Sequence, residues 1–132
     1  MTEFGCEHCY GDDAETVLNY CVPKGLAETD RLIGRSHFGV SIRRCVQCDQ
    51  RYAAIFTEYV DYINGEDPQY FNLIPLTLEE ASELAAQAEN VDLGRLSALG
   101  SSRRRLSTDW PSGQEKKTIS WKTESFWVDE GE

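Results

Sequence analysis

Two C-x-x-C pairs constrain the fold of this chain more than any other feature of its sequence. Cys6 and Cys9 form the first pair, Cys45 and Cys48 form the second, and 35 residues lie between the pairs. Two cysteines with two residues between them form a tight turn that presents both sulfurs to one ion, and a second such turn completes a tetrahedron. The pattern therefore predicts one zinc ion, Zn²⁺, held by four thiolates.

Two other uses of cysteine compete with zinc. A disulfide framework would pair the cysteines, but their number is five, and no apolar leader with a small-residue cleavage site precedes Cys6. A thioredoxin-like redox site uses one C-x-x-C pair in a βαβ unit, whereas this chain has two matched pairs. Structural zinc is therefore favoured. The gap between the pairs exceeds the ~15–20 residues of a compact ribbon, so we expect inserted structure between the two turns.

The composition predicts a folded protein in a reducing compartment. Hydrophobic residues make up 40% of the 132 residues and aromatic residues 11%, which is enough to build one core. No segment approaches the ~20 apolar residues of a membrane span, so we expect no membrane insertion. Free thiols without a secretory signal lead us to expect a cytoplasmic location.

The negative charge is concentrated in the middle of the chain. The net charge is −10, and the segment from Asp49 to Asp92 holds ten acidic residues and one arginine. Such a field repels phosphate backbones and attracts positively charged surfaces. We therefore expect a basic protein partner, and we do not expect nucleic acid, the commonest target of zinc ribbons.

The apolar pattern predicts an α+β fold with a three-stranded antiparallel sheet of the zinc-ribbon type. Alternation over 37–44, a long aromatic and β-branched run over 51–63 and a shorter run over 69–74 supply the strands. Residues 14–21 suit a short helix but also a strand, and 24–35 are expected to form a long connection.

One or two helices should pack on this sheet. Thr77-Leu-Glu-Glu80 is a capping box, and the helix that it begins is expected to run to about Glu89. A second short helix is predicted over 93–100, and the C-terminal residues are expected to form a hairpin or a tail. We expect a zinc-ribbon domain over 1–100 and a C-terminal extension over 101–132.

The two cysteine turns resemble those of zinc-ribbon proteins. Residues 37–85 are also similar to small bacterial zinc-ribbon proteins of undescribed function, through the stretches Ser41-Ile-Arg-Arg-Cys-Val-Gln-Cys48, Phe56-Thr-Glu58, Gly65-Glu-Asp-Pro68 and Leu76-Thr-Leu-Glu-Glu-Ala81. The resemblance implies a zinc ribbon and implies no activity. The first turn departs from the common C-P-x-C-G form, since Glu7, His8 and Tyr10 stand there.

Three other residues are candidates for a structural, catalytic or metal-binding role. Cys21 has no partner cysteine and is expected to be a small buried residue. Together with His37 it also makes a candidate Cys–His nucleophile pair. His8 lies inside the first turn and is an alternative metal ligand, but four cysteines already suffice for zinc.

Acidic residues near the third strand make a candidate partner-binding surface, and the alternative is an ordinary solvated face. The candidate residues are Glu58, Asp61, Glu66, Asp67 and Tyr70. The first functional hypothesis is therefore a non-enzymatic, zinc-stabilised protein-binding module, with an inhibitor or immunity-type role as one purpose. A ribbon that contacts nucleic acid or transcription machinery through Arg43, Arg44 and Arg103–Arg105 is one alternative, and a Cys/His enzyme is the other.

Overall fold

One antiparallel sheet organises the chain. The computed structural model describes residues 4–58, 69–110, 118–126 and 128, with all of their side chains except those of Pro23 and Trp110. Within these residues six strands lie side by side in sequence order, each antiparallel to the next. The strands are β1 (Leu26–Gly34), β2 (Phe38–Cys45), β3 (Arg51–Glu58), β4 (Gln69–Leu76), β5 (Arg105–Trp110) and β6 (Thr118–Lys122).

Four α-helices occur in the same described part of the chain. They are α1 (Glu7–Tyr10), α2 (Ala14–Tyr20), α3 (Leu78–Gln87) and α4 (Leu93–Ser102). A π-helical turn (Cys21–Gly25) links α2 to the sheet, and a 3₁₀ turn (Ala88–Asn90) follows α3. The α+β class is thus confirmed, and α2 resolves the ambiguity over 14–21 in favour of a helix. None of the described helices is long and apolar enough to cross a bilayer.

The prediction of a three-stranded sheet is wrong, because β1, β5 and β6 flank the three predicted strands. β1 occupies most of the stretch that was expected to be a connection. Its buried residues Leu26 and Leu32 are separated by an exposed polar and charged run, so the strand shows no regular alternation. β5 joins the sheet by pairing with β4, for example Leu106 with Leu73. β5 and β6 thus continue the same sheet, and the expected boundary near residue 100 stays a prediction.

The capping box is confirmed at the start of α3. The Thr77 hydroxyl accepts a hydrogen bond of 3.1 Å from the Glu80 amide, and the Thr77 amide donates one of 2.9 Å to the Glu80 carboxylate. Both bonds satisfy amides that a helix N-terminus leaves without partners. The box therefore fixes the first residue of the helix that covers the sheet.

Both faces of the sheet are buried, which explains the unbroken apolar run from Tyr52 to Phe56 in β3. Its alternate residues Ala53 and Ile55 face one core, whereas Tyr52 and Ala54 face another. The first face, here called the helix face, packs against α3 and α4 through Phe38, Val40, Ile42, Ala53, Ile55, Ile74, Leu76, Ala81, Leu84, Leu96 and Leu99. The second, the N-terminal face, packs against α1 and α2 through Cys9, Tyr10, Val17, Leu18, Cys21, Leu26, Cys45, Tyr52, Ala54, Leu73 and Leu106.

The C-terminal residues are fastened to α4. A side chain at Gly100 would place its Cβ 2.3 Å from the Phe126 ring, so only glycine allows this close approach. The hydroxyls of Ser101 and Ser97 accept hydrogen bonds of 2.9 Å from the amides of Phe126 and Val128, respectively. These contacts hold Phe126 and Val128 over the helix face.

Two leucines of α3 make a matched test of this packing. Leu84 is 1% exposed and Leu78 is 66% exposed. We expect Leu84→Ala to lower the free energy of unfolding by about 2–5 kcal/mol, because it removes buried contacts and leaves a cavity. Leu78→Ala should change it by less than about 0.5 kcal/mol. Urea denaturation of both variants measures the difference, and equal effects would contradict the described orientation of α3.

Candidate metal centre

The four cysteines of the two pairs lie close together, although they belong to two separate parts of the fold. Cys6 caps the N-terminus of the four-residue helix α1, and Cys9 lies inside that helix. Cys45 is the last residue of β2, and Cys48 lies in the turn between β2 and β3. Helix α1 and the turn of the β2–β3 hairpin therefore bring their cysteine sulfurs together.

The hairpin turn is shaped by backbone hydrogen bonds around Cys45. Its amide donates to the Gln50 carbonyl, and its carbonyl accepts from the Asp49 amide, both at 2.8 Å. Asp49 adopts a φ of 70°, in the left-handed region that aspartate tolerates better than most residues. This conformation closes the turn directly after Cys48.

The distances between the sulfurs fit a tetrahedral metal. The Sγ atom of Cys6 lies 3.9 Å from those of Cys9 and Cys45, and the Sγ atoms of Cys9 and Cys48 are 3.7 Å apart. All four sulfurs lie within 4.8 Å of one another. With Zn–S bonds of about 2.3 Å, a regular tetrahedron separates its sulfurs by about 3.8 Å. The geometry thus accommodates one ion without rearrangement of the backbone.

The protein lowers the pKa of one of the four thiols and raises that of two others. Burial raises the pKa of Cys45, but hydrogen bonds from the Tyr20 hydroxyl and from backbone amides outweigh burial and lower the pKa to about 7. Burial is also the main influence on Cys9 and Cys48, and there it raises the pKa. A bound divalent cation would favour the thiolate form at all four sulfurs.

Two tyrosines and one glycine support the cluster from outside. The Tyr20 hydroxyl lies 3.1 Å from the Cys45 sulfur, and the Tyr52 hydroxyl donates a 3.0 Å hydrogen bond to the Cys9 carbonyl. Gly5 has a φ of 73°, and a Cβ there would lie 2.5 Å from the Cys9 sulfur. Such outer contacts orient the ligands of a metal. The sequence reasoning did not identify these residues, although the position of Gly5 beside Cys6 was an available signal.

His8 and Cys21 lie outside the cluster of four sulfurs. The His8 ring is exposed and stacks on the Tyr20 ring, with 5.2 Å between the ring centres. Cys21 is 1% exposed in the core of the N-terminal face, where burial raises its pKa to about 12. A thiol in this environment is a poor nucleophile at neutral pH.

The structure does not bring Cys21 and His37 together. Cys21 precedes Leu26, which pairs with Cys45 at one end of β2, and His37 precedes the other end. The eight residues of an antiparallel strand such as β2 span roughly 24 Å between first and last. His37 instead shares a 2.8 Å hydrogen bond with Glu58. The geometry therefore offers no Cys–His pair at these two positions.

The structure describes two of the five candidate partner-binding residues, Glu58 and Tyr70. Glu58 is engaged within the protein, because its carboxylate accepts hydrogen bonds from Gln69 and His37, and these lower its pKa. Tyr70 is partly buried near the start of β4. Asp61, Glu66 and Asp67 lie outside the described residues. Partner binding through these five residues therefore stays a prediction.

The arginines of the C-terminal part bind other parts of the protein. Arg103 makes a two-pronged ion pair with Glu80, at 2.7 and 3.1 Å. The Arg104 guanidinium contacts the rings of both Tyr10 and Trp121, at 4.1 and 4.0 Å from their centres, and donates to the Tyr10 carbonyl. Arg104 and Trp121 therefore fasten the first cysteine turn to β5 and β6.

The fold and the site together define a class: an α+β protein in which four cysteines from two C-x-x-C pairs cluster at the distances of a metal site. No family model matches the chain, and no curated protein or solved structure shows significant similarity to it. The zinc-ribbon resemblance therefore stays a prediction, and the function must be argued from the site itself.

Replacement of a single cluster cysteine tests the metal site. We expect purified protein to contain about one zinc per chain, and Cys45→Ser to lose the metal and the cooperative unfolding transition. Elemental analysis and circular dichroism measure the two effects. Cys21→Ala is the matched control, since it removes a buried thiol outside the cluster and should keep the zinc. A metal-free Cys45→Ser protein with wild-type stability would contradict the assignment.

Proposed function

We propose that this chain is a non-enzymatic, zinc-stabilised module that binds a basic protein partner. The observation that carries the proposal is the completeness of the sulfur cluster. Four thiolates fill every position of a tetrahedron, which leaves no open position for water or substrate. Structural zinc sites are closed in this way, whereas catalytic sites keep one position open.

Zinc would act here by joining two segments that are distant in sequence. Cys6 and Cys45 are 39 residues apart, and α1 is too short to be stable by itself. Binding of structural zinc adds an apparent free energy of about 10 kcal/mol or more to the stability of the folded protein. A cytoplasmic location fits the proposal, because a reducing compartment keeps the thiols available for the metal.

Exposed carboxylates on and after α3 are the surface that we propose for partner binding. This acidic surface consists of Glu79, Glu83, Glu89 and Asp92, all of which are exposed. Glu79 and Glu83 are one helical turn apart on α3, on the side away from the buried Leu84. Arg95 offsets part of the charge, since it lies 3.7 Å from Glu83.

The exposed Leu78 gives this surface an apolar contact beside its charges. In protein interfaces, apolar anchors supply much of the affinity, whereas charges at the rim mainly accelerate association. We propose that the acidic surface attracts a basic protein in this way. Inhibition of that partner, as by an antagonist or immunity-type protein, is the purpose we assign to the complex.

Charge reversal tests the acidic surface. We expect Glu79→Lys with Glu89→Lys to reduce capture of basic proteins from a lysate of the source cell, because reversed charges repel a basic surface. Stability should change little, since both residues are exposed. Immobilised wild-type and variant proteins are compared by quantitative mass spectrometry, and on-rates of captured partners are then measured at several salt concentrations.

The matched control reverses two exposed acidic residues elsewhere, Glu15→Lys with Glu124→Lys, and so changes the net charge equally. We expect this control to retain the partners that the first variant loses. If both variants capture the same proteins as the wild type, the acidic surface contributes only to solubility. If both lose them equally, total charge rather than this surface governs binding.

A further inference from the structure

A polar cavity of about 300 Å³ lies on the helix face of the sheet, and none of the four cluster cysteines lines it. Residues of β3, β4, β5 and β6, together with Phe126 and Val128, line it. The lining residues that matter here are Asn72, Arg105, Ser107, Asp109, Lys122 and Phe126. Polar residues thus replace the apolar core at this end of the face, although Asn72, Arg105 and Ser107 are all more than nine-tenths buried.

Arg105 is the central residue of this cavity, and it is 4% exposed. Its Nε atom donates to the Asn72 side-chain oxygen at 3.3 Å, and its Nη1 atom donates to the carbonyls of Gly100 and Glu124 at 2.9 and 3.0 Å. The guanidinium lies 4.3 Å from the centre of the Phe126 ring. Among the described residues, Nη2 has no hydrogen-bond partner.

The charge of Arg105 is only partly compensated. No carboxylate of the described residues lies within ion-pair distance of the guanidinium. The one carboxylate that lines the cavity, Asp109, is bound by Lys122 at 2.7 Å and by the Ser107 hydroxyl at 3.2 Å. The Gly100 carbonyl belongs to the C-terminal turn of α4 and carries only a partial negative charge. Burial accordingly lowers the pKa of Arg105.

Among the described residues no carboxylate contacts the buried Arg105 guanidinium, and Glu124 and Asp109 act on it only from a distance, so an anion in the cavity would offset the cost of burying this charge. We propose that the cavity binds a small oxyanion, the carboxylate or phosphate group of a small molecule, with the Arg105 guanidinium as its anchor. The Nη2 group can donate charge-assisted hydrogen bonds to either anion. The volume equals about ten waters, which suits a small ligand. This site does not depend on the proposed protein partner.

Titration of the wild-type protein with inorganic phosphate and with succinate tests the site directly. At constant ionic strength set with chloride, we expect the melting temperature to rise with one or both anions and to reach saturation. In the ¹⁵N NMR spectrum, the Arg105 Nε resonance should shift over the same concentration range. A response to phosphate alone identifies a phosphate site, a response to succinate alone a carboxylate site, and a response to both a general oxyanion site.

Asn72→Asp separates anion binding from a purely structural role of Arg105. The substitution keeps the shape of the side chain and places a carboxylate 3.3 Å from the Arg105 Nε atom, where it supplies an internal counter-ion. We expect the variant to melt at a higher temperature than the wild type without added anion, and to lose the anion response. Asn90→Asp, at an exposed position, is the control with the same charge change and should keep the wild-type response.

Two results would overturn the proposal. One is the absence of saturable binding of either anion to the wild-type protein, with no shift of the Arg105 resonance. The other is an Asn72→Asp variant that responds to anions as strongly as the wild type, which would place any binding site elsewhere on the surface.

Discussion

The convergence of four sulfurs holds the N-terminal residues against the sheet, and one of the two cores depends on this contact. Cys9 and Tyr10 lie in that core and in α1, a helix of four residues that has no stability of its own. When the sulfurs share a metal, these residues cover Tyr52 and Leu73 of the sheet. The Arg104 guanidinium contacts the rings of both Tyr10 and Trp121, and so connects the same turn to β5 and β6. Metal, core and C-terminal strands are thus physically linked.

Features with a local chemical signature were predictable from the sequence. The two C-x-x-C pairs identify the four sulfurs because their spacing restricts the geometry of the turns. The capping box at Thr77 identifies the start of α3, since both of its hydrogen bonds lie within four residues. The strands β2, β3 and β4 show enough apolar and β-branched residues to be recognised, although the predicted end of β3 lies outside the described residues.

Features that depend on distant contacts were not predictable. The hairpin of β5 and β6 was one of the two expectations for the C-terminal residues, but no residue within 105–122 specifies that β5 pairs with β4. Arginines usually lie at the surface, so the burial of Arg105 follows only from its carbonyl partners in Gly100 and Glu124. The contact of Tyr20 with the Cys45 sulfur likewise joins residues 25 positions apart. Local sequence patterns carry no information about such long-range contacts.

The irregular register of β1 has a consequence for self-association. β1 lies at one border of the sheet, where unpaired backbone groups invite another chain to add a strand. Its pairing with β2 shifts between Glu28 and Asp30 and again between Arg31 and Ile33, and its exposed side chains there are polar or charged. Bulges twist a border strand, and charges repel a second copy. β1 therefore protects the protein on this side against growth of the sheet into aggregates or fibrils.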